Sequence, residues 1–199
     1  MIRHSRDPVK PRPLTFAGDM DTTAQIILQT QKWITDVVIG CNFCPFAARE
    51  LRQGSVHYEV ELSGKLTTCL ETFLQEIRRL DDDKKIETTL VIYPNAFASF
   101  DDYLDLASRA EKLLVKKGYE GIYQVASFHP LYRFADSLPD DAANYTNRSV
   151  YPMLHLLREE SIEQALQRYP DPAEIPKRNI RFAREKGIIY MKMLRDACL

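Results

Sequence analysis

The stretch Thr-Thr-Leu-Val-Ile-Tyr at residues 88–93 decides the fold, because it is an almost continuous run of β-branched and apolar residues that stops at Pro94. A strand that is apolar on both faces has to be covered on both faces, which is typical of the centre of an α/β sheet. Proline cannot donate a hydrogen bond to a neighbouring strand, so it marks the end of this one. We therefore place the core of the protein around residues 88–93.

Strands and helices alternate on both sides of this segment. Residues 56–62 alternate between apolar and polar, which predicts a half-buried edge strand with His57 on its polar, solvent-facing side. Residues 122–128 are rich in residue types that favour strands and are predicted to form a third strand. Apolar residues at helical spacing fill residues 66–80 and 99–118 between the strands. This order predicts an α/β fold, with a small three-stranded parallel or mixed sheet flanked by helices.

The two ends of the chain differ from this centre. Residues 1–19 carry three prolines among polar and basic residues, and they are predicted to be a flexible N-terminal tail. A helix is expected from Asp21 to Val38, with Gly40 ending it in a left-handed conformation. From Pro152 onward the pattern predicts a helical C-terminal portion. Residues 20–199 are thus expected to form a single α/β domain.

Composition excludes several classes of function. The chain has 199 residues, of which 45% are hydrophobic and 28% charged, and its formal net charge is −1. This charge disfavours binding to nucleic acid. No apolar run reaches the roughly 18 residues of a membrane span, and no signal peptide begins the chain, so we expect no membrane partner and a cytoplasmic location. Four cysteines do not resemble a disulfide framework. Nothing in the composition indicates an oligomeric state.

Cys44 is the first candidate for chemistry, because it lies between one predicted helix and Pro45, which begins the next. A thiol at a helix N-terminus is favoured as a thiolate. With Cys41 it forms a C-x-x-C pair, which allows disulfide exchange or, together with His129 and His155, a Cys₂His₂ zinc site. Cys44 alone could instead be a nucleophile with a histidine base. The simplest alternative is a small buried hydrophobic residue.

Two histidines are predicted in settings that suit catalysis. His129 follows the third strand, at the carboxyl edge where parallel sheets bind ligands. His155 is expected near a helix start, one turn from Arg158 and Glu159, where it would be a neutral base or be held by Glu159 alone. The loop over residues 131–149 is longer than a simple connection requires, which predicts a functional loop.

Arginines near these histidines suggest that the ligand is an anion. The guanidinium groups of Arg148 and Arg158 have the geometry to bind a carboxylate or phosphate, although loop aspartates could be their partners instead. Asn147 and Tyr132 are assigned to the same substrate-binding set. No metal ligand is assigned, and no cofactor is identified.

Three blocks of the sequence resemble a known bacterial family. They are WITDVVIGCNFCPFA at residues 33–47, FHP at 128–130 and NYTNRSVYPMLHLLRE at 144–159. These blocks are similar to those of the domain of unknown function 1415 family, for which the resemblance implies no activity. In that pattern the position of Cys41 is usually apolar, which weakens every mechanism that needs both cysteines. The residues that match the pattern are Cys44, His129, Arg148, His155 and Arg158.

The leading hypothesis is an enzyme that acts on a small anionic metabolite in a pocket of cysteine, histidine and arginine. The catalytic residues would be Cys44, His129 and His155, with a histidine moving a proton and the arginines holding the anion. The alternative is a non-catalytic protein that uses the same pocket to bind a ligand or zinc.

Overall fold

The structure, a computed structural model, describes residues 16–167 and 169–199, so most of the predicted N-terminal tail lies outside the described residues. The described part contains seven α-helices and one sheet of four strands. The α/β prediction is confirmed, while the predicted number of strands is one too few. The helices are α1 (Phe16–Trp33), α2 (Ala47–Gln53), α3 (Leu66–Asp82), α4 (Phe100–Lys116), α5 (Glu159–Gln167), α6 (Glu174–Lys186) and α7 (Ile188–Asp196). The strands are β1 (Val56–Val60), β2 (Thr88–Ile92), β3 (Tyr123–Phe128) and β4 (Met153–Arg158).

The sheet is mixed, with the strand order β1-β2-β4-β3. Strands β1 and β2 are parallel, whereas β4 is antiparallel to both of its neighbours, β2 and β3. It follows that β1, β2 and β3 all run in the same direction. Helix α3 connects β1 to β2, and α4 connects β2 to β3 across the position that β4 fills. The loops that follow the three parallel strands therefore lie at one edge of the sheet.

Strand β4 is the main difference from the sequence-based prediction, which begins a helix at Pro152. A short apolar run cannot be assigned to a helix or a strand by its period alone. Here Leu154 and Leu156 face one core while Met153 faces the other, as successive residues of a strand do. His155 consequently lies in the middle of the sheet and not near a helix start.

Each face of the sheet carries a hydrophobic core. Helices α3 and α4 cover one face, which we call the α3 face, and on β2 this face includes Thr89 and Val91. The opposite face, the α1 face, packs against α1, α6 and α7 and includes Leu90 and Ile92. A fully buried valine, leucine or isoleucine side chain stabilises the fold by about 2 kcal/mol. Because β2 places such side chains on both faces of the sheet, it stabilises both cores.

The first helix is longer than predicted and ends differently. It begins at Phe16, before Asp21, and after Trp33 it continues as one π-helical segment at Ile34–Ile39. Gly40 then has a φ of −60°, which is right-handed and not left-handed as predicted. A Cβ atom there would lie 2.3 Å from the carbonyl oxygen of Asp36. Glycine is therefore required at this position by close approach of the backbone.

The C-terminal portion is helical only after β4. The apolar spacing from Ile180 to Leu194 alone indicates one continuous helix, but the chain breaks at Gly187, where φ is +79°. Helices α6 and α7 result from this break. No helix in the described ranges is both long enough and apolar enough to cross a membrane.

Candidate functional site

Cys44 lies in the turn between the π-helical segment and α2. The backbone N–H groups of Phe46 and Ala47 point to its sulfur and lower the thiol pKa, but burial has the larger effect and raises the pKa above its ordinary value. The expected thiolate is therefore disfavoured at neutral pH. The neighbouring Cys41 is buried in the α1-face core, where burial also raises its pKa.

We expect Cys44 to react with iodoacetamide more slowly at pH 7 than N-acetylcysteine does, because the neutral thiol is a poor nucleophile. The rate should rise steadily as the pH passes 9. Mass spectrometry of the wild type and a Cys44→Ser variant would identify the labelled thiol, since the other three cysteines are buried. Labelling of Cys44 at pH 7 that is faster than that of the free thiol would contradict this expectation.

His129 is almost completely buried, and both of its ring nitrogens are in hydrogen bonds. The backbone N–H of Leu131 donates to Nδ1 over 3.0 Å, and Nε2 lies 2.7 Å from the carbonyl oxygen of Phe97. Because a carbonyl only accepts, Nε2 must carry the proton and the ring is neutral. Burial lowers its pKa in the same direction. The imidazole therefore ties the loop after β2 to the loop after β3.

His155 is also neutral, but for a different reason. Its Nε2 lies 2.6 Å from the hydroxyl of Thr88, which itself donates to the carbonyl of Leu156 over 2.5 Å. A hydroxyl has one proton to donate, so the hydroxyl oxygen must accept from Nε2–H of His155. Burial lowers the pKa of His155 to about 4.

The two histidines lie on opposite faces of the sheet. The His129 ring packs against Tyr103 of α4, with 4.9 Å between ring centroids, which places it on the α3 face. The His155 ring lies 6.0 Å from that of Phe128, which packs against Trp33 on the α1 face. The structure therefore does not place His129 and His155 in one pocket.

Cys44 belongs to the layer on the α1 face. Its chain segment is fixed by α6, where the side-chain amide of Asn179 donates to the carbonyl of Phe43 over 2.7 Å. The sheet therefore lies between Cys44 and His129. The catalytic roles assigned to Cys44, His129 and His155 stay predictions, and the structure does not bring the three together.

Arg148 uses its guanidinium group to hold the long loop before β4. Its Nε donates to the carbonyl of Tyr132 over 3.0 Å and its Nη2 to that of Pro139 over 2.8 Å, while the group stacks on the Tyr145 ring at 4.8 Å. The same loop is held to β3 by the Asn147 side chain, which donates to the carbonyl of Ser127 over 3.4 Å. Arg148 and Asn147 thus use their side chains to hold the loop in place, and Tyr132 supplies one of the carbonyls that Arg148 binds.

Arg158 binds the C-terminal end of α3. Its Nη2 donates to the carbonyls of Leu80 and, over 3.0 Å, Ile86, and its Nη1 contacts the Tyr123 hydroxyl at 3.3 Å. Backbone carbonyls at a helix end need such donors. Arg158 therefore joins β4 to the end of α3, and its binding of an anion stays a prediction.

Replacing Arg158 by methionine should lower the free energy of unfolding by about 2 kcal/mol, because partly buried carbonyls lose a charged donor while the apolar stem is kept. Urea titration would measure this change. The matched control is Arg133→Met, which alters an exposed arginine in the loop and should change stability by less than about 0.5 kcal/mol. Equal effects of the two substitutions would show that the contacts of Arg158 do not stabilise the fold.

A cleft of about 320 Å³ opens at the edge of the sheet where the parallel strands end. Phe97, in the loop after β2, has a φ of +57°, a left-handed conformation that is rare and strained for a bulky residue. Its carbonyl is the one that His129 holds. Gly64, in the loop after β1, packs against the loop after β2. A Cβ atom on Gly64 would lie 3.3 Å from the carbonyl oxygen of Asn95. The cleft is lined by Gly64, Leu66, Ala96, Phe97, Asp102 and Asp105.

The family to which the chain belongs follows from comparison with family models. A model described as "Protein of unknown function (DUF1415)" matches residues 25–193. The chain belongs to the DUF1415 family. Neither the curated proteins nor the solved structures contain a significant match to it. The DUF1415 match begins within α1 and ends within α7, so it includes the whole sheet, the cleft and nearly all of both cores.

The structure adds two features to what the sequence of this DUF1415 chain predicts. The first is the lining of the cleft: the carboxyl ends of the strands are the predicted position of a ligand, but the residues that line the cleft there are not among the assigned site residues. The second is a polar cluster on the α3 face that contains His57, predicted to be a surface residue, with Glu59 and Glu76. The signal for it is Glu76, a charged residue that interrupts the apolar stripe of α3.

Proposed function

We propose that the chain is a small-molecule-binding protein whose ligand lies in the cleft at the carboxyl ends of β1 and β2. The observation that supports this most is the strained backbone of Phe97, held by the buried His129 at the wall of the cleft. Such strain costs about 1–3 kcal/mol and is found mainly at ligand sites and switch regions. The carboxyl ends of parallel strands are also the usual position of ligands in α/β sheets.

The lining of the cleft indicates the chemistry of the ligand. Leu66, Ala96 and Phe97 supply an apolar wall, while Asp102 supplies a carboxylate that has no partner among the described residues. The second carboxylate, Asp105, pairs with Arg109 over 2.7 Å. An apolar wall beside a free carboxylate fits a small molecule with an apolar body and an ammonium group.

This proposal differs from the anionic metabolite expected from sequence. That expectation depends on free guanidinium groups, and those of Arg148 and Arg158 donate to backbone carbonyls. The cleft instead carries negative charge at the start of α4. A comparison of a cationic and an anionic probe of the same size therefore separates the two hypotheses.

The test is to titrate the ¹⁵N-labelled full chain with 2-phenylethylamine and, separately, with phenylacetate. We expect the amine to shift the backbone amide signals of Gly64, Ala96 and Phe97, and phenylacetate to leave them unchanged. Asp102→Asn should weaken amine binding about fivefold, which corresponds to a solvent-accessible charge interaction of about 1 kcal/mol. Asp101→Asn is the matched control, because Asp101 is also exposed and does not line the cleft.

Two results would contradict the proposal. Stronger shifts with phenylacetate than with the amine at the same amides would favour an anionic ligand over the cationic one proposed here. Equal weakening by Asp101→Asn and Asp102→Asn would mean that the amine responds to the general charge of α4 and not to the cleft.

A further inference from the structure

The polar cluster on the α3 face has the arrangement of a metal site. His57 and Glu59 lie two positions apart on β1 and so project from the same face, while Glu76 reaches them from α3. The Nε2 atom of His57 lies 3.6 Å from Glu59 Oε2 and 3.4 Å from Glu76 Oε2. Two ligands bound tetrahedrally to one ion at about 2.1 Å lie about 3.4 Å apart, so these separations match a shared metal ion.

Two buried polar atoms beside the cluster lack hydrogen-bond partners in the described part of the chain. One is Nε2 of His57, which is near both carboxylates but hydrogen-bonded to neither. The other is the hydroxyl of Thr89, a residue with 0% exposure that is the direct cross-strand neighbour of His57. Thr89 is on the α3 face, like His57. Unpaired buried polar atoms are costly and need an explanation, which a bound ion with its water would provide.

The charges of the cluster leave room for a cation. Arg79 donates to both oxygens of Glu76 over 3.0 Å and lies 3.7 Å from Glu59. Two carboxylates and one guanidinium leave a net charge of −1 when His57 is neutral. Glu76 is only 1% exposed, so little water is available to stabilise this charge. Arg79 can keep its contacts when an ion binds, as groups that orient metal ligands usually do.

We propose that His57, Glu59 and Glu76 form a binding site for a divalent transition-metal ion, and that Zn²⁺ is the ion that fits these donors. One imidazole nitrogen and two carboxylate oxygens form a donor set that zinc accepts. His57 and Glu59 are 28% and 32% exposed, so the ion would be open to solvent on one side. This site is separate from the cleft, and the proposal does not depend on the function proposed for the cleft.

The first test is calorimetric titration of the chelator-treated full chain with ZnCl₂. We expect one equivalent to bind, and Glu76→Gln to weaken binding at least about 100-fold, since even the loss of an outer-sphere partner costs about 10–100-fold. The matched control is Glu71→Gln, an exposed residue of the same helix, which should leave binding unchanged. His57→Gln serves as a second variant, and far-UV circular dichroism verifies that each variant is folded.

The second test separates this site from the thiols of Cys41 and Cys44, which also attract zinc. Titration with Co²⁺ should give ligand-field bands without a thiolate-to-cobalt charge-transfer band, and Cys44→Ser should bind Zn²⁺ as the wild type does. The proposal is overturned by a thiolate band, by unchanged binding in both Glu76→Gln and His57→Gln, or by a wild type that binds no zinc at micromolar concentration.

Discussion

Lowering the pH from 7 to 4.5 should reduce the free energy of unfolding by about 2 kcal/mol through His155 alone. The pKa of this imidazole is about 4 in the folded protein and about 6.5 in the unfolded chain. Between these two values the unfolded chain binds a proton that the folded protein does not, so acid favours unfolding. Stability is therefore complete above pH 6.5 and is lost progressively as the pH falls toward 4. We expect a loss of only about 2 kcal/mol, less than the full difference between these two pKa values would give, because His155 is not completely shielded from solvent.

Urea unfolding at pH 7 and pH 4.5 would measure this loss in the wild type and in His155→Gln. Glutamine can still donate to the Thr88 hydroxyl, but it does not titrate. The variant should therefore lose about 2 kcal/mol less than the wild type over the same interval, while the carboxylates contribute equally to both. Parallel losses in the two proteins would mean that His155 is not a neutral, buried hydrogen-bond donor.

His129→Ala should lower the free energy of unfolding by about 3–4 kcal/mol at pH 7. The substitution leaves the Phe97 carbonyl and the Leu131 N–H without their partner in a partly buried position, which costs about 1–3 kcal/mol. It also creates a cavity beside the rings of Phe100 and Tyr103. Relief of the strained Phe97 backbone would offset only about 1 kcal/mol of this cost.

The same variant should lose the cleft as well as stability. Amide signals of residues 95–99 and 131–133 are expected to shift or broaden, and 2-phenylethylamine should no longer bind. His129→Gln is the informative comparison, because an amide can restore one of the two hydrogen bonds and should recover part of the stability. A His129→Ala variant within 1 kcal/mol of the wild type would contradict the proposed role of His129.

The fold could be predicted where local pattern and tertiary packing agree. β1 shows a period of two and α3 a helical period, and the structure has a strand and a helix at these positions. α3 buries one face, whereas all five residues of β1 are partly buried, because its polar face also packs against α3. Strand β4 could not be recognised, since its six residues become a strand only by pairing with β2 and β3 on either side. Both partners are distant in sequence, and no local signal reports them.

In the candidate site, likewise, the positions of residues could be predicted from sequence but their hydrogen-bond partners could not. The position of His129 at a strand end was predictable, but the partner of its Nε2 is 32 residues away. Arg158 likewise binds the carbonyl of Ile86, 72 residues away. Sequence indicates that such residues are unusual, whereas only the fold shows whether their polar groups face a ligand or the protein's own backbone. His57 and Glu76 were missed because a strand and a helix supply them separately.

The most direct measurement of the central claim, that His129 and His155 are neutral hydrogen-bond donors within the fold, is the protonation of their rings. Long-range ¹H–¹⁵N spectra of the histidine side chains between pH 5 and pH 8 report the tautomer and charge of each imidazole. We predict that both rings carry the proton on Nε2 and are neutral at pH 7, and that His155 stays neutral down to pH 5. A ring of either residue that gains a proton with a pKa at or above 6.5 would contradict the account.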